Sequence, residues 1–363
     1  MRNLKAKWLL LLPIVALGLF FLFRGEGASP LSKKWQECRD FELLMGKQTF
    51  RWNYVQTRED KETLGFFKKL YEKNFEKALL PSEALKIPKT LHVVWLGPKE
   101  FPPGSVKNIA SWIDRHPSWT VKFWTDIDRA APHPAMQKVL VEDCHLPNLL
   151  SNYFLSDNFC ERSELLRYEI LLAEGGLYID HDLLCNANFE PLNAAYDFYC
   201  GLEELAPSIL SSSLFPGTHI IGSRAQHPVL AAAIDWVKRR WQQLEADYPG
   251  SDPLSVMNRV KHRSFYALNE GIHQKIDRDR NVDIVLPSAF FSQKVASEHA
   301  FATHSHEGVW LKQESSSEKK LIQDSEEILS RVATTELLLI MMTGFCGLLM
   351  LALVITYRRA SHA

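Results

Sequence analysis

The stretch Gly175-Gly176-Leu177-Tyr178-Ile179-Asp180-His181-Asp182 carries the strongest structural signal in this chain of 363 residues. A glycine pair follows an apolar helical pattern, a short strand-like run comes next, and two carboxylates stand one residue apart at its exit. Side chains alternate along an extended strand, so Asp180 and Asp182 are expected to point the same way. Two carboxylates placed like this suit a hard divalent cation such as Mn²⁺ or Mg²⁺, which can hold a diphosphate group.

Asp-x-Asp spacing occurs three times, at Asp126/Asp128, Asp180/Asp182 and Asp277/Asp279. Only the middle triplet has both a strand and a helix with paired charges before it. The first triplet follows a plausible strand without such a helix, and the third lies in a charged run that is typical of a turn. The sequence therefore predicts a metal–diphosphate site at the middle triplet, and solvated turns at the other two.

The helix expected before the glycine pair, Glu161–Glu174, supplies the second half of the signal. Its apolar residues recur at helical spacing, and the first glycine is a natural left-handed stop. Glu164 and Arg167 lie three residues apart on one face, where an ordinary surface ion pair is the default interpretation. Beside a strand that ends in Asp-x-Asp, an arginine directed at phosphate or ribose is the better prediction.

Three blocks of sequence resemble glycosyltransferase family 32, whose members carry a DXD motif. The blocks are residues 87–126, the Ser163–Asp182 region described above, and residues 301–310. They occur in the family's order and span roughly Ile87 to Lys312. The resemblance implies a GT-A fold, an α/β nucleotide-sugar domain with a mostly parallel sheet. It also implies a metal-dependent hexosyltransferase that uses Mn²⁺ or Mg²⁺ and retains the anomeric configuration. No residue stands out as a covalent nucleophile, which favours front-face attack by the acceptor hydroxyl.

The same resemblance implies roles for individual residues. Those expected to hold the ion and support catalysis are Asp180 and Asp182, joined by His304 or His306 from a closing loop. Those expected at the nucleotide sugar are His92, Val94, Trp95, Glu164, Arg167 and Trp310. Trp95 would stack on the base, Arg167 would contact the nucleotide sugar, and Glu164 would orient ribose or donor hydroxyls. Core packing is the competing interpretation for Trp95 and Trp310.

Two departures from the family pattern leave an alternative open. The family usually has Ser-Asp where this chain has Ser163-Glu164, and Gly-Ser-Trp where Val309 replaces the serine. A catalytically inactive scaffold is therefore one competing hypothesis. A phosphatase of the haloacid dehalogenase type is another, but that chemistry expects Thr or Val where this chain has Leu184.

Two charge-free apolar segments favour a membrane protein. Trp8–Phe23 is short for a span and is interpreted as an uncleaved anchor, with a signal peptide as the competitor. Leu337–Tyr357 is long enough to cross the bilayer as a helix. Basic residues at both outer flanks predict cytosolic termini and a central domain on the opposite side of the membrane. The Golgi lumen is the consistent compartment, and a bacterial inner membrane is the alternative.

Membrane anchoring and the resemblance together predict the substrates. The leading prediction is mannose transfer from GDP-mannose to a membrane lipid acceptor such as inositol phosphoceramide. The alternative is a UDP-sugar with a polysaccharide or protein acceptor. A formal net charge of −1 and the lack of a long basic patch give no support to nucleic-acid binding.

The predicted organisation has six parts. They are an anchor over 1–24, a stalk and helical approach over 25–84, the catalytic domain over 85–312, a polar tether over 313–336, a transmembrane helix over 337–357 and a tail over 358–363. Within the catalytic domain, strands are expected over Thr90–Leu96, Val121–Trp124, Leu177–Ile179 and Val282–Leu286. Further helices are expected over Ser105–Arg115 and Val229–Glu245. This alternation indicates an α/β sandwich.

Overall fold

The computed structural model describes residues 38–79, 84–144, 147–156, 158–206, 212–250, 252–292 and 300–307. Both apolar terminal segments, the predicted tether, Val309 and Trp310 lie outside these ranges. Within them, none of the helices combines the length and apolarity that a membrane span requires.

A seven-stranded sheet forms the centre of the molecule, and a two-stranded sheet lies beside it. The strands are β1 (Thr90–Val94), β2 (Thr120–Thr125), β3 (Met136–Leu140), β4 (Gly176–Ile179), β5 (Leu183–Cys185), β6 (Phe198–Leu202), β7 (Pro216–Ser223), β8 (Asp283–Leu286) and β9 (Ala302–His304). The large sheet has the order β3-β2-β1-β4-β7-β6-β8, and β5 pairs with β9 in the small one. Strand β7 is antiparallel to both of its neighbours, and the other pairs in the large sheet are parallel.

Helices pack around this sheet. They are α1 (Phe41–Leu44), α2 (Arg58–Asn74), α3 (Pro103–Arg115), α4 (Leu150–Leu155), α5 (Phe159–Glu174), α6 (Glu190–Ala195), α7 (Pro228–Asp247), α8 (Pro253–Lys261) and α9 (Ala267–Lys275). A single π-helical turn, His262–Tyr266, joins α8 to α9. The four strands predicted from sequence correspond to β1, β2, β4 and β8, and the three predicted helices correspond to α3, α5 and α7. The expected α/β fold with a mostly parallel sheet is confirmed.

The glycine pair fixes how helix α5 leads into strand β4. Gly175 has φ +67° and Gly176 has φ +111°, a region that L side chains rarely adopt. A Cβ on Gly176 would lie 2.7 Å from the Thr90 carbonyl oxygen of β1, and one on Gly175 would lie 2.6 Å from the Ala225 amide nitrogen. The chain therefore turns tightly enough for β4 to run directly between β1 and β7.

The region interpreted as a stalk is described from Cys38 to Leu79, and this part packs against the sheet domain. Phe41, Phe67 and Tyr71 are fully buried in the same hydrophobic core as the sheet. The Asn74 side chain also donates a hydrogen bond of 2.8 Å to the main-chain carbonyl of Asp283 in β8. Helix α2 is amphipathic, so its many charges face solvent while its apolar side closes the core.

The cysteines within the described ranges form no disulfide. Cys160 and Cys185 do not form a disulfide with each other. Cys185 is buried, and its thiol bonds the carbonyl of Ala187 instead.

Candidate active site

A cavity of about 360 Å³ opens where β1 and β4 end. Parallel strands bring their carboxyl ends to the same edge of a sheet, the usual position of ligand sites in such folds. Helix α5, strand β7, the segment after β9 and the π-helical turn complete the walls. The described residues at its charged and polar centre are Glu164, Arg167, Asp180, Asp182, Glu203, Thr218, His219, Lys261, His304 and His306.

Three predicted ligands meet at this edge. Asp180, Asp182 and His304 each offer one ligand atom, and these atoms lie within 4.8 Å of one another. Two carboxylates and an imidazole form a donor set that suits Mn²⁺, and the carboxylates also suit Mg²⁺. The Nδ1 atom of His304 is buried and has no hydrogen-bond partner. The residues that the structure brings together therefore fit a divalent cation.

Asp182 is held by two donors in the absence of an ion. His304 Nε2 lies 3.2 Å from Asp182 Oδ1, and the Glu307 amide donates to Oδ2 over 2.9 Å. Burial raises the pKa of Asp182, but the hydrogen bond from His304 and the charges of His304 and His181 outweigh it. The pKa therefore lies well below its usual range. Asp182 is consequently ionised at neutral pH, as a metal ligand must be.

Asp180 is tied to helix α5 and to its own strand. Its Oδ1 accepts a hydrogen bond of 2.7 Å from the Tyr178 hydroxyl and lies 3.3 Å from the Arg167 guanidinium. The Tyr178 ring also lies under that guanidinium, 4.2 Å from ring centroid to Cζ. These contacts orient the carboxylate toward the cavity.

The pair Glu164 and Arg167 is buried, so the surface ion-pair interpretation is wrong. Glu164 is 6% exposed and Arg167 is 3% exposed, with 3.0 Å between Oε1 and NH2. Arg167 also donates to the Thr218 carbonyl, and the Thr218 hydroxyl donates to Glu164 over 3.3 Å. The second carboxylate oxygen of Glu164 is buried without a partner. An acceptor atom that lines the cavity without a donor is suited to a ligand hydroxyl.

We expect Glu164→Gln to change how stability depends on pH. Burial raises the pKa of Glu164 to about 7 against the opposing charge of Arg167. The stabilising effect of the protonated form is therefore present below pH 4.5 and is lost as pH rises through 7. Glutamine does not ionise. The free energy of unfolding of the variant, relative to that of wild type, should therefore rise by about 3 kcal/mol between pH 4.5 and pH 8. Urea unfolding of both proteins in EDTA at several pH values measures this difference. A difference that stays constant with pH would show that Glu164 is not desolvated as described.

A second acid–histidine pair lies beside the triangle of ligands. Glu203 Oε1 is 2.9 Å from His219 Nδ1, and the His219 ring stacks on His304 at 4.7 Å between centroids. Burial raises the pKa of Glu203, but His219 outweighs it and the pKa falls to about 2. The His306 ring lies 3.9 Å from that of His304, outside the triangle of ligand atoms. Of the two histidines predicted as ligands, His304 is the one that joins Asp180 and Asp182.

Of the residues in and directly after β1 that were predicted to bind the nucleotide sugar, two line the cavity and one does not. Val94 and Trp95 line the cavity, and the Trp95 ring meets His181 edge-on at 5.1 Å. His92 was expected at the nucleotide sugar, but its side chain is fully buried and lies outside the cavity lining. Its Nε2 donates to the Gly175 carbonyl over 2.8 Å, and its Nδ1 accepts from Trp124. His92 thus holds the glycine turn that places β4.

The other two Asp-x-Asp triplets lie outside the cavity lining. Asp126 accepts the Gly97 amide through both carboxylate oxygens, and Asp128 pairs with Lys138. Asp277 accepts hydrogen bonds from Lys73 and Asn74. Each of these carboxylates has a structural partner within the protein.

Four features of the site are not predicted from the sequence: Glu203, Thr218, His219 and the π-helical turn. Glu203 directly follows β6, and β7 supplies Thr218 and His219. Neither strand shows a clear period-two pattern because both are buried on both faces. One signal was available. Gly222 lies inside the Ile-rich run of β7, and a Cβ there would lie 2.2 Å from the Tyr199 ring. A glycine inside a strand-like run indicates such a close approach.

Comparison with known families agrees with this geometry. Residues 102–199 match the family described as a glycosyltransferase sugar-binding region containing a DXD motif. The matched region runs from the start of α3 into β6, so it contains Glu164, Arg167 and both aspartates of the motif.

This chain is similar to two curated fungal proteins. It is 28% identical over 153 residues to inositol phosphoceramide mannosyltransferase 3 of Schizosaccharomyces pombe, covering 42% of this chain and 38% of that protein. It is 27% identical over 164 residues to the mannosyl phosphorylinositol ceramide synthase of Saccharomyces cerevisiae, covering 45% and 39%. The matches span about two fifths of these relatives' length. Among solved structures, PaToxG glycosyltransferase matches with a TM-score of 0.42 and 16% identity, over 60% of this chain and 78% of that one.

Proposed function

We propose that this protein is a glycosyltransferase that transfers a hexose from a nucleotide sugar in a metal-dependent reaction. The observation that carries the proposal is the convergence of Asp180, Asp182 and His304 within 4.8 Å beside a cavity that Arg167 also lines. Mannose from GDP-mannose is the proposed donor, and inositol phosphoceramide is the proposed acceptor. Support for the sugar and the lipid comes from the names of the two fungal relatives.

Asp180, Asp182 and His304 would hold Mn²⁺ or Mg²⁺ in this cavity. Such an ion, when bound, neutralises the negative charge of a departing nucleoside diphosphate. The protein's own part is to fix these ligands before the donor arrives. Tyr178 and Arg167 orient Asp180, while the Glu307 amide orients Asp182. Pre-oriented charges cost little reorganisation during reaction, which makes them effective catalysts.

Glu164 and Arg167 are proposed to bind the sugar side of the donor. The open Oε2 of Glu164 would accept a hydrogen bond from a sugar or ribose hydroxyl. Arg167 keeps a fixed positive charge next to Asp180, where charge develops on the leaving group. The longer glutamate retains the contact with Arg167 that the arrangement needs, and this supports an active enzyme over an inactive scaffold.

Retention by front-face attack is the proposed stereochemical course. The cavity's described carboxylates are engaged with other groups of the site: Asp180 and Glu164 with Arg167, Asp182 with His304, and Glu203 with His219. This supports attack by the acceptor hydroxyl on the same face from which the diphosphate leaves. We further propose that the domain works at a Golgi membrane on its lumenal side, with Trp95 and Trp310 at the nucleotide.

A donor screen tests the proposed substrates. Purified full-length protein in detergent with Mn²⁺ is incubated with a panel of GDP- and UDP-sugars, and release of GDP or UDP is followed. We expect GDP release from GDP-mannose, increased by an inositol-containing sphingolipid and abolished by EDTA. The lipid product should carry mannose in the α configuration, as in the donor.

Other outcomes of the screen discriminate between the alternatives. Turnover of a UDP-sugar without any response to GDP-mannose would reject the mannosyl assignment and keep the glycosyltransferase. Folded protein that releases neither nucleotide from any donor, with and without acceptor, would favour the inactive scaffold.

A further inference from the structure

Lys261 lines the active-site cavity from an element that sequence analysis did not connect with function. It is the last residue of helix α8 and immediately precedes the π-helical turn His262–Tyr266. Its side chain is half-buried and borders the same cavity as the two aspartates of the motif. Among the described residues that line this cavity, Lys261 and Arg167 are the two with a lysine or arginine side chain.

The π-helical turn that follows Lys261 is fixed to the neighbouring helices. Arg263 is fully buried and forms ion pairs with Glu161 at 2.8 Å and with Glu245 at 2.7 Å. Its guanidinium also lies 3.4 Å from the Trp241 ring centroid. The Ser264 carbonyl accepts the Tyr168 hydroxyl of α5 over 2.8 Å. These contacts fasten the turn to α5 and α7, and they leave Lys261 at the cavity.

The half-buried ammonium group of Lys261 differs in its partners from the buried guanidinium groups of Arg167 and Arg263. Arg167 and Arg263 each contact two carboxylates. Lys261 has no hydrogen bond or ion pair from its side chain to any part of the chain that the structure describes. Burial lowers the pKa of Lys261, with no neighbouring carboxylate to counter it. A desolvated cation without a counter-charge costs free energy unless an anion completes the site.

We propose that Lys261 binds a phosphate group of a substrate in this cavity. The inference rests on the proposed function, which brings two kinds of phosphate there: the diphosphate of the donor and the phosphodiester of an inositol phospholipid acceptor. An ammonium group binds phosphate as a compact point charge, which does not require the planar geometry that arginine needs. The described carboxylates of the cavity have partners, so an incoming phosphate is the anion that Lys261 can meet.

The test compares Lys261→Met with Lys261→Arg and with Lys275→Met. Methionine keeps an unbranched stem of similar length and removes the charge, while arginine keeps the charge. Lys275 lies exposed at the end of α9, away from the cavity lining, and serves as the matched control. Affinity for Mn²⁺–GDP and Mn²⁺–UDP is measured by equilibrium binding. The KM of donor hydrolysis and the KM for inositol phosphoceramide are then measured separately.

Loss of one charge-assisted contact to phosphate is expected to weaken the affected step by roughly tenfold. Weaker nucleotide binding together with a higher hydrolysis KM in Lys261→Met would assign the donor diphosphate. A higher KM for the lipid alone would assign the acceptor phosphodiester. In either case Lys261→Arg should recover most of the loss, and Lys275→Met should match wild type.

Unchanged nucleotide affinity and both unchanged KM values in folded Lys261→Met would overturn the inference while leaving the proposed function intact. Wild-type protein is measured first. If it neither binds nor hydrolyses any nucleotide sugar, the proposed function fails, and the role of Lys261 falls with it.

Discussion

Replacing Asp182 with asparagine is expected to lower donor turnover by about a thousandfold, because it removes a charged ligand and weakens every effect of the ion. The asparagine oxygen can accept from the Glu307 amide, but its NH2 group meets His304 Nε2 favourably only when that nitrogen is unprotonated. The cost in folding stability should stay within about 1–3 kcal/mol, the range for one unsatisfied buried group. Release of GDP or UDP with Mn²⁺ and with EDTA measures the effect.

The control for this variant is Asp128→Asn. Asp128 belongs to another Asp-x-Asp triplet, but it is exposed and pairs with Lys138. It should keep wild-type turnover and the same response to Mn²⁺. A folded Asp182→Asn protein that retains near-normal, chelator-sensitive turnover would contradict the assignment of the metal site.

Replacing Arg167 with methionine should abolish turnover and also destabilise the fold by about 3–5 kcal/mol, the cost of leaving a buried charge without its partner. The guanidinium lies between Glu164 and Asp180, at 3.0 Å and 3.3 Å, and is almost fully buried. Without it, two carboxylates would face each other in a site with little water. Urea unfolding at pH 7.5 and donor hydrolysis measure the two effects.

Two further variants separate the fold from the chemistry of Arg167. Arg239→Met removes an exposed i,i+4 ion pair with Asp235 and should change stability by less than about 0.5 kcal/mol. Adding Glu164→Gln to Arg167→Met removes one of the stranded charges and should recover part of the stability without restoring turnover. An Arg167→Met protein as stable as wild type would show that the buried pair does not hold helix α5 to strand β4.

The centre of the site follows from local sequence, whereas its walls depend on tertiary structure. Helix α5, the glycine turn and strand β4 are consecutive, so spacing alone brings Glu164, Arg167, Asp180 and Asp182 to the same region. The sequence could not show that Glu164 and Arg167 are buried, because their burial depends on β7 packing against the helix. Glu203 directly follows β6 and His219 lies on β7, 16 residues further along the chain; the pairing of these two strands makes them neighbours.

The positions of His92 and Lys261 could not be predicted from sequence patterns, for two different reasons. His92 stands two residues before Val94 on the same strand, so alternation gives both the same face. One is covered by the Gly175 turn and the other reaches the cavity, and the pattern cannot distinguish them. The π-helical turn after Lys261 contains no proline or glycine that would signal an interruption, so the sequence reads as a continuous helix.

The pairing of β5 with β9 makes ion binding and local folding parts of one equilibrium. Asp182 immediately precedes β5, and His304, the last residue of β9, lies opposite Leu183 in the register. An ion shared by Asp182 and His304 would act as a reversible cross-link between these two distant parts of the chain. By thermodynamic linkage, such an ion at a hundred times its Kd would favour the paired strands by about 2.7 kcal/mol. Cellular metal supply would then regulate how often this side of the cavity opens, as well as how fast the enzyme turns over.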